Sequence, residues 1–452
     1  MHSPPGIQAT SDCALEEIPL SCTIAEIVMK TIEPRFKLFA PRLRRAAAMP
    51  FIMVTALIDM MSIGLIVPVL PALVGSFTGN QQDQALWYGV VTFAFSFANF
   101  FGSPILGALS DSYGRRPVLL IGFSGLMLSF YTTALATSVG MLICIRLVAG
   151  AMQANLSVAN AYVADITPPE QRAKRFGMMG AMFGVGFILG PVIGGLLGSI
   201  SLRLPFYAAG TLALLNLLYG YFVLPESLPV NRRHAFDWKA ANPVSALRRL
   251  SQLKAVAPLA VVVACSGLAQ FVLYTCWVLY TTFKFGWGPR DNGWALAAVG
   301  VVSAVVQGLL LGRILKLVSA RRLAVLGLLS STLAYALWGA ATQGWMMYAV
   351  ICVNLLGATV PSTIQSIISS AVDAQNQGKT LGAVGGINSL MAVIAPLIGA
   401  PLLTMVSHLP KGDWRIGAPF YFMALLQAAA LILTAAHFRS ERRARLAVQT
   451  GA

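Results

Sequence analysis

From about residue 49 to 438 the chain alternates long apolar runs with short polar breaks. Each run has about the ~20 residues an α-helix needs to cross a bilayer core. Twelve spans are predicted, at 49–71, 87–110, 117–137, 140–164, 175–199, 204–225, 256–280, 292–312, 322–341, 345–369, 380–405 and 416–438, numbered here in that order. Within the runs the apolar residues are continuous. A lipid-facing barrel strand would alternate, so helices are expected. The breaks of a few residues suit helical hairpins. The long polar stretch 226–255 divides the spans six and six.

A weak internal repeat follows the same division. At an offset of 205 residues, Gly107 maps to Gly312, Arg116 to Arg321 and Gly122 to Gly327. "GPVIGG" at 190–195 maps onto "APLIGA" at 395–400. The matches fall at the same places in the two sets of spans. The expected organisation is a cytoplasmic tail (1–48), a six-helix half (49–225), a linker (226–255), a second half (256–438) and a C-terminal tail (439–452). Repeated halves with a substrate site between them near the midplane are a recurring plan of secondary transporters.

Composition agrees with membrane burial. The 452 residues are 57% hydrophobic and 11% charged, against about 25% charged in soluble domains. The net charge of +16 raises the question of a nucleic-acid partner. Its distribution answers it. By these spans, 26 Lys and Arg fall on one side of the membrane and five on the other, with Arg146 inside a span. That bias is the positive-inside pattern, so both termini are expected on the cytoplasmic face of the inner (plasma) membrane. No nucleic-acid partner is implied. The six cysteines have no metal or redox spacing, and the four histidines lie at or beyond span ends. No nucleophile–base constellation, metal site or cofactor motif is present, so an enzyme is not expected.

Two charges lie well inside spans, Asp59 in span 1 and Arg146 in span 4. A charge at a helix centre costs ~2.5–3.5 kcal/mol on insertion scales. A carboxylate taken out of water tends to take up a proton, which suits a group that loads and releases protons as a site opens to either side. Asp59 and Arg146 are the candidate proton-coupling residues; the alternative is a structural ion pair between them, and both hold if the contact breaks during the cycle. Polar residues line single helix faces nearby. Thr55, Asp59 and Ser62 share a face of span 1; Thr92, Ser96, Asn99 and Ser103 share one of span 2; Arg146, Gly150, Gln153, Ser157 and Asn160 share one of span 4. Asn99, Gln153, Asn160, Gln270, Trp277 and Gln365 are the candidate substrate-cavity residues, with Phe93, Phe97 and Tyr274 as further apolar wall. Such residues also serve as interhelical glue.

The turn "GALSDSYGRRP" at 107–117 joins spans 2 and 3. Gly107 and Gly114 let the chain bend and pack. Asp111 lies near the start of span 3, where negative charge suits the helix dipole. Arg115 and Arg116 lie on the basic side. In span 5, Gly186, Gly190, Gly194 and Gly198 recur every fourth residue, a spacing that lets backbones approach closely in lipid. Pro191 is expected to bend that helix. This face serves either tight packing alone or, in addition, a hinge or sliding surface.

These motifs resemble the major facilitator superfamily. The turn is similar to its loop 2–3 signature, and "RLVAG" at 146–150 and "GFILGPVIGG" at 186–195 to its helix 4 and antiporter helix 5 motifs. "LIDMMSIGLIVPVLPALV" at 57–74, "YVADITPPEQRAKRFG" at 162–177 and "WVLYTTFKFGW" at 277–287 resemble the tetracycline/proton antiporter family within it. The resemblance implies an all-α membrane protein of twelve helices in two pseudo-symmetric six-helix halves. It implies that the turn's Asp and Arg form charge contacts holding the halves together on the cytoplasmic side, with Asp165 as the carboxylate for Arg115. It also places a functional acid at Asp59. Two positions depart from the family, whose tetracycline pumps carry acids in helices 3 and 9; Ser129 and Ser331 stand there.

The expected function is a proton-coupled exporter of a hydrophobic or amphipathic drug-like compound, working by alternating access. An uptake permease or facilitator of the same fold, and a transport-inactive membrane sensor, are the alternatives. The expected partners are a small-molecule substrate, protons and the bilayer, and the protein is expected to be monomeric. The basic segment "PRFKLFAPRLRR" at 34–45 is read either as lying on the membrane face or as preceding a true start at Met49.

Overall fold

The described residues are almost entirely helical, as continuous apolar runs demand when backbone N–H and C=O groups must be satisfied without water. The computed structural model describes residues 41–153, 155–238, 257–372 and 374–450. The expectations for residues 1–40 and for most of the linker, 239–256, lie outside them. The chain divides into two units, Met1–Leu43 and Arg44–Ala452.

Eleven helices among the described residues are long and apolar enough to cross a membrane, and one bent pair makes a twelfth. They are α1 (Met49–Gly75), α2 (Gln81–Tyr113), α3 (Arg115–Ala134), α4 (Val139–Ile166), α5 (Pro169–Ile200) and α6 (Leu204–Val223). Then come α7 (Pro258–Phe285), α8 (Pro289–Leu317), α9 (Ala320–Ala340), α10 (Gly344–Val353 with Gly357–Ser370), α11 (Thr380–Val406) and α12 (Trp414–Glu441).

Three helices depart from the regular runs that the apolar pattern suggests. The helical pattern of α1 stops for Val67–Val69, around Pro68, which supplies no N–H. In α4 it stops at Gln153. The two parts of α10 meet at 54°. At that bend Ser330 donates to the Val353 carbonyl at 2.6 Å, and Ser331 donates to Asn354 Oδ1 at 3.1 Å. The break is thus held by side chains of α9, which continuous hydropathy hides. By contrast, α5 runs unbroken through Pro191.

Call the end with the 107–117 turn the basic end and the other the far end. The halves meet along α5–α8 and α2–α11. The close approaches are all toward the far end. A Cβ on Gly195 would meet the Pro289 carbonyl at 2.6 Å and Gly293 Cα at 3.1 Å, and Gly89 faces Pro396 and Ala400. Along the same four helices nearer the basic end, a Cβ on Gly107, Gly180, Gly184, Gly308, Gly312, Gly382 or Gly385 meets nothing within 4 Å. The buried cores follow suit. One cluster runs through both halves and includes Leu65, Tyr88, Phe130, Trp277, Trp338 and Phe420. At the basic end the halves have separate clusters, around Phe51, Phe123 and Tyr162 in one and Leu259, Leu328 and Ile364 in the other. The halves are therefore sealed at the far end and parted at the basic end.

One charge is placed differently from its sequence reading. Span 7 was expected to end at 280, leaving Lys284 in a loop. The helix continues to Phe285, and Lys284 is 4% exposed. Its Nζ donates to the Gly339 carbonyl at 3.0 Å and to Tyr280 Oη at 3.1 Å. A cation among the last carbonyls of α9 answers both an orphan acceptor and the helix dipole. Nearby in the far-end loop, Arg415 holds the Asp413 carboxyl below its ordinary range through direct hydrogen bonds.

Candidate functional site

The turn between α2 and α3 is the most densely bonded polar site at the basic end. Gly114 has φ +107°, a conformation that favours glycine. Its hydrogen-side face is also full, since a Cβ would meet Glu226 and Arg233. Arg115 is buried. Its Nη1 donates to Ser110 Oγ at 2.6 Å and pairs with Asp111 at 2.6 Å, while its Nε reaches Asp165 of α4 at 3.2 Å. Arg116 donates to the Tyr221 carbonyl of α6. All these partners lie in the N-terminal half. In this state, with the basic end parted, none of the turn's ion pairs among the described residues crosses between halves.

Glu226 is the residue the sequence reading passed over. It follows α6, and its carboxylate accepts from the backbone N–H groups of Arg115 (2.9 Å) and Arg116 (3.2 Å), as well as from those of Ser227 and Leu228 (both 3.0 Å). The first N–H groups of a helix have no intrahelical acceptor; here a distant acid caps α3. An acid among so many bases on that side was the available signal. Glu226→Ala is expected to lower the melting temperature of the detergent-purified protein, with a loss of about 1 kcal/mol typical of a helix cap.

The intramembrane candidates separate into groups. Thr55 donates to Asn216 of α6 at 3.0 Å, so the α1 face that carries Asp59 begins by packing inside the N-terminal half. Asp59 is 9% and Arg146 5% exposed. No ion pair joins them among the described residues. Asn99 donates to the Gln153 carbonyl at 2.7 Å and, more weakly, to that of Gly150 at 3.4 Å. It therefore supplies the donor for the break in α4, and serves as glue in this state. Asn160 and Gln270 are half-buried and Gln365 is exposed. Trp277 is 3% exposed and packs edge-on against Trp338, their centroids 5.2 Å apart. It belongs to the core that joins the halves rather than to an open wall.

The glycine face of α5 is packed on both flanks. Gly186, Gly190 and Gly194 abut the backbone of α1 at Leu57, Met61, Gly64 and Leu65, and Gly195 abuts α8. Pro191 contributes its carbonyl to the contact with Gly293.

The sequence profile described as Major Facilitator Superfamily matches residues 52–396 and, again, 259–451. The chain belongs to the major facilitator superfamily. Within the superfamily it is 36% identical over 379 residues to the class C tetracycline resistance protein of Escherichia coli, covering 84% of this chain and 95% of that one. It is 33% identical over 382 residues to the class D protein of Salmonella ordonez, with 84% and 95% covered. It is therefore a member of the tetracycline-resistance-like family. Among solved superfamily folds, the human organic anion transporter MFSD10 superposes with TM-score 0.66 at 22% identity, covering 87% of this chain and all of that one. A bacterial homolog of the human lysosomal transporter Spinster does so with TM-score 0.66 at 16% identity, covering 88% and 96%. Major facilitator proteins are carriers, not enzymes. This chain is a multi-pass secondary transporter of a small molecule.

Ser129 and Ser331 are both buried. Ser331 spends its hydroxyl on Asn354 at the break of α10.

Proposed function

We propose that this protein is a proton-coupled exporter that takes an amphipathic, drug-like compound from the cytoplasm and releases it across the inner membrane. The observation that carries the reading is an acid, Asp59, buried in α1 of a carrier whose halves are sealed at one end and parted at the other. The charge bias supports assigning the parted, basic end to the cytoplasm. The state described is then open toward the cytoplasm, ready to load. The halves 49–225 and 256–438 rock about the linker as two bodies, and one chain suffices for the cycle. The relatives are named for tetracycline resistance; Ser129 and Ser331 favour a cargo other than the tetracycline–metal chelate.

The test is counterflow and pH-driven flux in everted vesicles, with a panel of lipophilic compounds. An inside-acid gradient should concentrate cargo in the vesicles, and a protonophore should abolish it. Downhill flux indifferent to pH for every accepted compound would make the protein a facilitator.

The turn gives a second test. In the cycle it is read as a clamp that re-forms across the halves when the basic end closes. Arg115→Ala and Asp165→Ala should each fold and each slow flux. The double variant should be little worse than either, because residues acting as one pair are non-additive. Fully additive losses would show that the 3.2 Å contact between them is incidental.

A further inference from the structure

Arg146, inside α4, has donors to spare. It is 5% exposed, and its Nε and Nη2 are buried without a hydrogen-bond partner among the described residues. No ion pair of the described residues includes it. An unpaired buried cation is costly, and a guanidinium has donors only. What complements it is an anionic acceptor.

The surroundings belong to both halves. Gly150, one turn after Arg146, abuts Phe95 and Asn99 of α2, and Tyr88 of α2 is buried with Cys276 and Trp277 of α7 in the cluster that joins the halves. Helix α7 packs against α11, α12 and also α2. Tyr274, two residues before Cys276 and three before Trp277 in α7, is nonetheless 52% exposed. Helix α7 is thus covered by α2, α11 and α12 but bare at Tyr274. A guanidinium and a phenol lie near the seal between the halves, with an exposed aromatic ring on the basic side of it. The serines at 129 and 331 add no carboxylate that would repel an anion.

We propose that Arg146 and Tyr88 are the anion-recognising end of the cargo site, and that the cargo is an amphipathic organic acid. Its carboxylate, enolate or phenolate docks on Arg146, and its apolar body lies along Tyr274. Loading the anion gives the Arg146 donors their acceptor at the seal between the halves. This assignment rests on the reading of the chain as a small-molecule carrier, and it is independent of the direction of transport and of proton coupling.

The test needs neither a gradient nor flux. The full-length protein in nanodiscs of zwitterionic lipid is titrated with two xanthene dyes of opposite charge, anionic fluorescein and the cationic ethyl ester of rhodamine, and with anilinonaphthalene sulfonate as a second anion. The wild type should bind the anions more tightly than the cation. Arg146→Met should lose at least about tenfold in anion affinity without losing affinity for the cation, and Arg146→Lys should retain part of it. Melting is the companion measurement. Unliganded Arg146→Met should melt no lower than wild type, since it removes an unpaired charge, and fluorescein should raise the melting temperature of the wild type only. Failure of both anions to bind, anion binding undiminished in Arg146→Met, or a lower melting point or loss of folding in that variant would each overturn the assignment. The last outcome would mark Arg146 as a structural partner. Anion binding without pH-driven export would leave this inference standing while removing the proposed coupling.

Discussion

Replacing Asp59 with Asn is expected to abolish pH-driven transport while leaving insertion and cargo binding intact. Asn matches Asp in size and still forms hydrogen bonds, but it does not titrate. Asp59 is 9% exposed in α1. In the proposed cycle this carboxyl carries the coupled proton. Without that step the cycle has no proton to exchange. Downhill exchange of cargo should survive, because it need not release a proton. A structural ion pair with Arg146 would make the variant fold poorly, since a stranded buried Arg is costly. A carboxyl that serves as proton carrier instead should leave a normal melting curve. The measurement is flux in everted vesicles beside cargo binding by the same preparation. A well-folded Asp59→Asn protein that still concentrates cargo would rule this residue out as the proton carrier.

The second large effect separates packing from motion on α5. Gly194→Val should fail to accumulate as folded protein. Its Cβ would lie 2.7 Å from the Cα and carbonyl carbon of Leu65 and closer still to the carbonyl oxygen. These are backbone atoms of α1, which cannot turn aside as a side chain can. Overpacking of this kind costs roughly 1–3 kcal/mol or more, and here it forces two helices apart. Gly184, farther down the same helix, has nothing within 4 Å of an added Cβ. Gly184→Leu should therefore fold and bind cargo in the parted state. If the basic end must close during transport, Leu at 184 should then block turnover. Expression and melting distinguish the first outcome, and flux distinguishes the second. A fast Gly184→Leu carrier would mean that this face does not close.

The apolar runs, interrupted every twenty or so residues (the bilayer's own length scale), determined by themselves that this chain is a many-spanning helical membrane protein. The 26-to-5 distribution of bases is equally local information, because it depends only on which breaks hold Lys and Arg. The Arg115–Asp165 contact was also legible, but only through the resemblance of the turn to a family signature; its 3.2 Å approach is seen between α3 and α4. What lay beyond the sequence were features made by pairs of distant groups. Glu226 caps α3 from across 111 positions. Asn99 satisfies carbonyls at the break in α4, so a candidate cavity residue is a backbone partner, and Ser330, which no pattern singled out, satisfies one at the break in α10. Hydropathy averages over a window and ignores which face a residue presents. It could not tell that Trp277 enters the shared core while Tyr274, three residues earlier, stays half exposed. Nor could it tell that Lys284 reaches the end of α9 instead of water. Each of those outcomes depends on which helix stands opposite, and on where two halves touch and part. Only the tertiary arrangement decides that, because close backbone approach at small residues is a property of two surfaces together.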